Sequence, residues 1–259
     1  MIPIKTPSEL AVMRENGRVL AGILDELCEL AVAGTTTASL DRHAESRIRA
    51  FGGEPAFPKF ANYPATINAS LNHEVVHGVP SEERVLEDGD LFSIDIGMYR
   101  DGFCVDMATT VPVGEVTEDA RRLLDVGEAS LWNAVGAVKI GNRLSDVSHA
   151  IGSTVKATGF FVVREWVGHG IGRALHEDPQ IPNYGPPGRG VRLRPGMTLA
   201  IEPMVKVDDL PTRIAEDRWT VVTASGGLSV HFEHTVALTE TGVEVLTSNK
   251  EVSPDARGH

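Results

Sequence analysis

The segment DLFSIDIGMYRDGFCVDMATTVPV, residues 90–113, decides the fold. Two β-prone runs, 90–98 and 103–113, flank Arg100-Asp101-Gly102, the turn chemistry of an antiparallel hairpin. Each arm carries one acid among apolar neighbours, Asp95 in SIDIG and Asp106 in CVDMA. Side chains alternate with period 2, so the centre of the turn sets how these acids meet. A loop centred between Arg100 and Asp101 puts them directly opposite; one centred between Asp101 and Gly102 makes them diagonal neighbours on the same face. In either register their Cβ atoms lie within about 5–8 Å. Carboxylates that close repel one another unless a proton or a cation lies between them. If both instead face solvent, ordinary strand alternation accounts for them.

Two further acids weigh toward a cation. Glu202 ends the strand-like MTLAIE just before Pro203, and Glu233 lies in SVHFEHTVAL, where Val230, Phe232, His234, Val236 and Leu238 take the opposite face. An acid that terminates an apolar strand is unfavourable without a partner. His169, within GHGIG, adds an imidazole. Two Asp and two Glu balance two divalent cations, and oxygen-rich ligation with one nitrogen suits Mn, Fe, Co or Zn better than a thiolate-type structural zinc site.

The rest of the chain reads as α+β. Thr6 as N-cap, Pro7 at the first helical position and Glu9 three residues after the cap predict a long amphipathic helix that runs to Gly34. A second helix is expected over 39–50, and another from Thr117 to about residue 138; residues 54–85 read as loop-rich. GTTTASLD from Gly34 and GNRLSD from Gly141 each follow one helix and precede another, 107 residues apart. The echo suggests two similar α+β halves packed as a single domain over 1–249, with a loose tail at 250–259.

Composition bounds the function. The 259 residues are 42% hydrophobic with a net charge of −12, which opposes direct binding to nucleic acid or anionic lipid. No apolar run approaches the roughly 18 residues of a membrane span, and MIPIKTPSEL carries neither a secretion signal nor a transit peptide, so the cytoplasm is the expected compartment. Cys28 and Cys104 are expected to be buried thiols, neither bridged nor nucleophilic.

The chain resembles the type I methionine aminopeptidases, dinuclear metallopeptidases of the pita-bread fold. The resemblance runs to about residue 247 and is carried by SLNHEVVHGVP (70–80), DGFCVDMATT (101–110), HGIGRALHEDPQIPNY (169–184), GMTLAIEPMV (196–205) and FEHTVALTETG (232–242). It implies two pseudo-symmetric α+β halves around a curved antiparallel sheet. It makes Asp95, Asp106, His169, Glu202 and Glu233 the ligands of two divalent metals, with Glu202 also the proton shuttle. His176 would stabilise an oxyanion and His77 would contact the substrate amide. Phe57, Phe60, Tyr63, Asn68, Leu175 and Trp219, with His77, would surround a methionine side chain; Asn72 and Ser229 would help hold a monovalent cation.

Three positions depart from the family's usual residues: Leu175 where an aromatic is common, Asn68 where many bacterial members have Cys, and His231 where Gln is usual. His231 shares the face of Glu233 and could tune that ligand. The implied activity is removal of the initiator methionine from nascent polypeptides before a small second residue, by a monomer with transient ribosome contact. The start at the catalytic helix fits the bacterial short form, and bulky Ile2 implies that Met1 is retained. The competing readings are a prolidase or aminopeptidase P of the same fold and a non-catalytic pita-bread binding protein.

Overall fold

The computed structural model describes residues 2–60 and 62–249. Met1 and the proposed tail at 250–259 lie outside the described residues. In chain order the elements are helices α1 (Pro7–Leu30) and α2 (Thr37–Ala50), then strands β1 (Glu54–Pro55), β2 (Ile67–Leu71), β3 (Glu74–Val76), β4 (Leu91–Arg100) and β5 (Phe103–Pro112). Helices α3 (Glu118–Ala137) and α4 (Leu144–Lys156) follow. Strands β6 (Phe161–Val162), β7 (Gly168–Gly170), β8 (Glu177–Ile181), β9 (Thr198–Ile201) and β10 (Met204–Lys206) come next. The last are β11 (Thr212–Ile214), β12 (Val221–Thr223), β13 (Ser229–His231), β14 (Glu233–Thr239) and β15 (Gly242–Val245).

Helix α1 starts where its sequence directs. The Thr6 hydroxyl accepts from Glu9 N–H, and the Thr6 N–H donates back to Glu9 Oε2 at 2.7 Å, so both groups of the capping box are satisfied. Its apolar stripe, Leu10, Met13, Leu20, Leu24 and Leu27, is buried in a cluster shared with α2 and with β2, β4 and β5. A second cluster joins α3 and α4 to β9, β10, β13 and β14. Between them runs an antiparallel nine-stranded sheet of order β1-β4-β5-β14-β9-β7-β8, with β2 beside β4 and β15 beside β14. Strands β2 and β3 fall in the stretch expected to be loop-rich. They are too short to show a clear alternation in sequence, and the partners that stabilise them, β4 and β12, lie far along the chain.

The 107-residue echo is real at atomic level. Gly34 N–H donates to Leu86 O, Leu86 N–H to Thr35 O, and Thr37 N–H to Arg84 O. Gly141 N–H donates to Leu193 O, Leu193 N–H to Asn142 O, and Leu144 N–H to Val191 O. Every donor and acceptor in the second set is 107 residues beyond its counterpart, and so are the bridge pairs Thr36↔Val85 and Arg143↔Arg192. The same interval separates Asp95 from Glu202. Asp106 and Glu233 are 127 apart, so the second half holds 20 extra residues; β11, β12 and Trp219 lie in that part of the chain.

Candidate active site

The hairpin register settles which arrangement Asp95 and Asp106 adopt. Arg100 pairs with Phe103, and the two-residue loop Asp101-Gly102 has φ of 51° and 80°, the positive values that a primed turn requires. Asp95 therefore pairs with Ala108 and Asp106 with Gly97, which makes the acids diagonal neighbours on one face. Gly97 keeps that face open: a Cβ there would sit 2.9 Å from Ala56 Cβ and 3.1 Å from Asp106 Oδ1.

The other predicted ligands join the same face through the sheet. Ala108 pairs with both Asp95 and Glu233, so these three residues form one row across β4, β5 and β14. A second row runs from Thr235 through Ala200 to His169 across β14, β9 and β7. The Thr235 hydroxyl accepts from Asp106 N–H at 3.0 Å and donates to Asp106 O at 2.7 Å, which ties Asp106 into that row. Small residues between the ligands, Gly97, Ala108 and Ala200, leave space over the sheet for something to bind. Asp106, His169 and Glu233 offer ligand atoms within 4.8 Å of one another. His169 Nδ1 lies 2.9 Å from Gly170 O, which leaves Nε2 facing the acids, 3.5 Å from Glu202 Oε1.

The electrostatics show how unfavourable this grouping is alone. Burial pushes the Asp95 carboxyl up to about 6 and lifts Asp106, Glu202 and Glu233 well above the usual carboxylate range. For Asp106 and Glu233 the neighbouring acids add to that rise. Burial lowers the His169 imidazole to about 3, with His176 adding to the fall, so His169 is a neutral nitrogen donor. Asp95 Oδ1, Asp106 Oδ1 and Glu233 Oε1 are buried without a hydrogen-bond partner.

These acids floor a cavity of about 480 Å³. Phe57, Phe60, Tyr63, Asn68, His77, Leu175, His176 and Trp219 all line it. Tyr63 stacks edge-on against Trp219 at 5.3 Å, and its hydroxyl donates to Gly78 O at 2.8 Å, so the apolar wall is anchored by its polar tip. His176 lies over His169, with ring centroids 4.2 Å apart, and beneath Phe60 at 4.3 Å. His77 adopts φ 62°, and burial lowers its imidazole to about 4.

Gly78 next to His77 approaches β2 so closely that a Cβ would meet Ala69 O at 2.4 Å. Gly78→Ala is therefore expected to cost about 1–3 kcal/mol of stability and to misplace His77; an unchanged denaturation midpoint together with unchanged kinetics would refute this.

Asn68 does not only line the wall. It pairs with Asp95 across β2 and β4, and its Nδ2 donates to Asp95 Oδ2 at 2.6 Å, so it orients a predicted ligand. Trp166, which no motif in the sequence singles out, lines the cavity and stacks edge-on against His77 at 5.0 Å. Its signal was an aromatic residue three positions before His169. Asn72 and Ser229 lie together but outside the cavity lining. Ser229 donates from N–H and hydroxyl to Asn72 O, and the Asn72 side chain donates to Asp90 and accepts from Leu91 N–H.

Residues 11–240 match metallopeptidase family M24. The chain belongs to that family. It is 49% identical over 247 residues to methionine aminopeptidase 1 of Bacillus subtilis, covering 95% of this chain and 99% of the relative. The crystal structure of methionine aminopeptidase from Thermotoga maritima superposes with a TM-score of 0.94 at 46% identity, covering 96% of this chain and all of that one. An Xaa-Pro dipeptidase from Bacillus anthracis shares the fold, with a TM-score of 0.77 at 22% identity; the match covers 96% of this chain and 63% of the dipeptidase. The fold is thus the pita-bread arrangement, a curled antiparallel sheet with four helices outside it. Membership in M24 also accounts for the buried oxygens without partners. They form an oxygen-rich donor set with one neutral imidazole, which fits a divalent metal.

Proposed function

We propose that this protein is a methionyl aminopeptidase, a two-metal hydrolase that removes N-terminal methionine when the next residue is small. The observation that carries the reading is the joining, in one cavity, of an acid-rich donor cluster with an aromatic-walled apolar slot. Asp95, Asp106, His169, Glu202 and Glu233 would hold two divalent ions drawn from Co, Mn, Fe or Zn. When bound, such ions supply polarisation of a carbonyl and an acidified water.

The protein's own groups do the rest. Phe57, Phe60, Tyr63, Leu175 and Trp219 enclose the flexible thioether and exclude water from it. Glu202, as the shuttle, accepts a proton from the attacking water and passes it to the leaving amine. His176 and His77 line the same cavity as the acids; in this reading His176 stabilises the oxyanion and His77 holds the scissile amide. Asn68 acts chiefly through its hydrogen bond to Asp95. In this reading residues 1–249 form one catalytic domain, since both halves contribute to the sheet and the cavity.

The substrates are the N-termini of nascent chains, met in the cytoplasm by a monomer in transient contact with ribosomes. No helix among the described residues is long and apolar enough to cross a membrane. Burial pushes the Cys28 thiol up to about 12 and Cys104 well above the ordinary thiol range, so neither competes as nucleophile. Asn72 and Ser229 remain the proposed seat of a monovalent cation, supported by their adjacency; the Asn72 carbonyl and the Ser229 hydroxyl already have protein partners.

A substrate panel under a metal series tests the assignment. Met-Ala peptides should be cleaved at least about 100-fold faster than Met-Ile peptides, as the proposed preference for a small second residue requires. Ala-Pro peptides should be inert. Cleavage of Ala-Pro but not Met-Ala would move the protein to the prolidase or aminopeptidase P activity, and inertness toward all three would favour a binding protein.

A further inference from the structure

Among the described residues that line the cavity, one histidine outside the predicted ligand set and the two pocket histidines has a buried nitrogen without a hydrogen-bond partner. His231 is only 2% exposed, and its Nε2 has no hydrogen-bond partner. That nitrogen stands 3.6 Å from Glu202 Oε2 and 4.0 Å from Glu233 Oε2. The other oxygen of Glu202 is 3.5 Å from His169 Nε2, so this carboxylate lies between two imidazoles.

The backbone fixes where the His231 ring sits. His231 N–H donates to Thr110 Oγ1 at 2.9 Å, and the same hydroxyl donates to His231 O at 2.8 Å. On the other side, β13 pairs His231 with Met204, two residues after Glu202.

Chemistry selects the tautomer. A nitrogen lone pair aimed between two carboxylates would be repelled by both, whereas an N–H is attracted to either. A movement of about 0.5 Å brings Nε2 and Glu202 Oε2 to ordinary hydrogen-bond length. Asn68 already makes the corresponding contact with Asp95.

We propose that His231 is a positioning residue whose Nε2–H donates to Glu202 Oε2 and holds that carboxylate in the orientation it needs as ligand and proton acceptor. The proposal rests on the metallopeptidase reading above. It assigns a role to a side chain that the ligand set and the two pocket histidines leave unused.

The test compares the full chain with His231→Gln, which keeps an N–H donor, and His231→Leu, which keeps the volume without one. Mn(II) affinity is measured by calorimetry alongside kcat and KM on a Met-Ala peptide. His231→Leu should weaken metal binding about 10–100-fold and lower kcat with little change in KM, and His231→Gln should restore both to within about threefold. Equal losses in the two variants, or no loss in His231→Leu, overturn the proposal.

A second readout stands if His231→Leu does not fold. Imidazole nitrogen hyperfine couplings to bound Mn(II) should be the same in wild type and His231→Gln; loss of one set would make His231 a ligand and overturn the donor role. A wild-type protein that binds no divalent metal fails the metallopeptidase reading itself, before any variant is compared.

Discussion

Asp106→Ala leaves a folded protein with peptide hydrolysis reduced by about 1,000-fold or more. The backbone of Asp106 is held by the Thr235 hydroxyl in both directions, and neither bond involves the carboxylate. Its Oδ1 has no partner, and the carboxyl group is pushed up by burial and by Asp95 and Glu202. In the metal-free state, removing the side chain therefore relieves repulsion, and the thermal midpoint should stay level or rise. What the variant loses is the acid that lies with both His169 and Glu233 in one donor group. Activity within about tenfold of wild type would rule out Asp106 as a ligand.

Stripping divalent metal with a chelator should abolish activity and lower the melting temperature, and added metal should restore both. Metal at about 1,000 times its dissociation constant stabilises by about 4 kcal/mol, which corresponds to roughly 10 °C for a chain of this size. The stripped protein should also acquire a distinctive pH dependence. In the fold, burial raises the Asp95 carboxyl from 3.8 to about 6 and moves the other three acids in the same direction. A carboxyl raised in the folded state stabilises the fold below its unfolded value, and that stabilisation is lost as pH rises through the folded value. The chelated protein should melt higher at pH 5 than at pH 8. The metal-loaded protein should show the opposite trend, because protons compete with the cations. Identical melts with and without chelator, at unchanged activity, would remove the metal centre from the reading.

Much of this site was legible because the chemistry is severe. Four acids in apolar surroundings need a partner wherever the chain goes, and strand alternation alone brings Asp95 and Asp106 to one face. The register was not legible, since it depends on which two residues take positive φ, and Asp101 and Gly102 do. Helix α1 was clear from its capping box, whereas β2 was hidden because its stability comes from β4, twenty residues later. The same pairing explains why the contact of Asn68 with Asp95 could not be foreseen. The apolar face through Val230, Phe232 and Val236 is buried as expected, yet the run is split: β13 joins β10 and β14 joins β5 and β9. An interruption of the strand pairing at Phe232 lets His231 and Glu233 serve different sheets while both line one cavity.

The 107-residue interval that repeats through the backbone hydrogen bonds also separates Asp95 from Glu202, so the two acids stand at equivalent places in the two halves. Their surroundings are not equivalent: Asp95 is paired with an amide from Asn68, while Glu202 lies between two imidazoles. A pair of identical subunits would give both acids the same neighbours. Two halves in one chain carry different sequences, and each acid here has neighbours of its own.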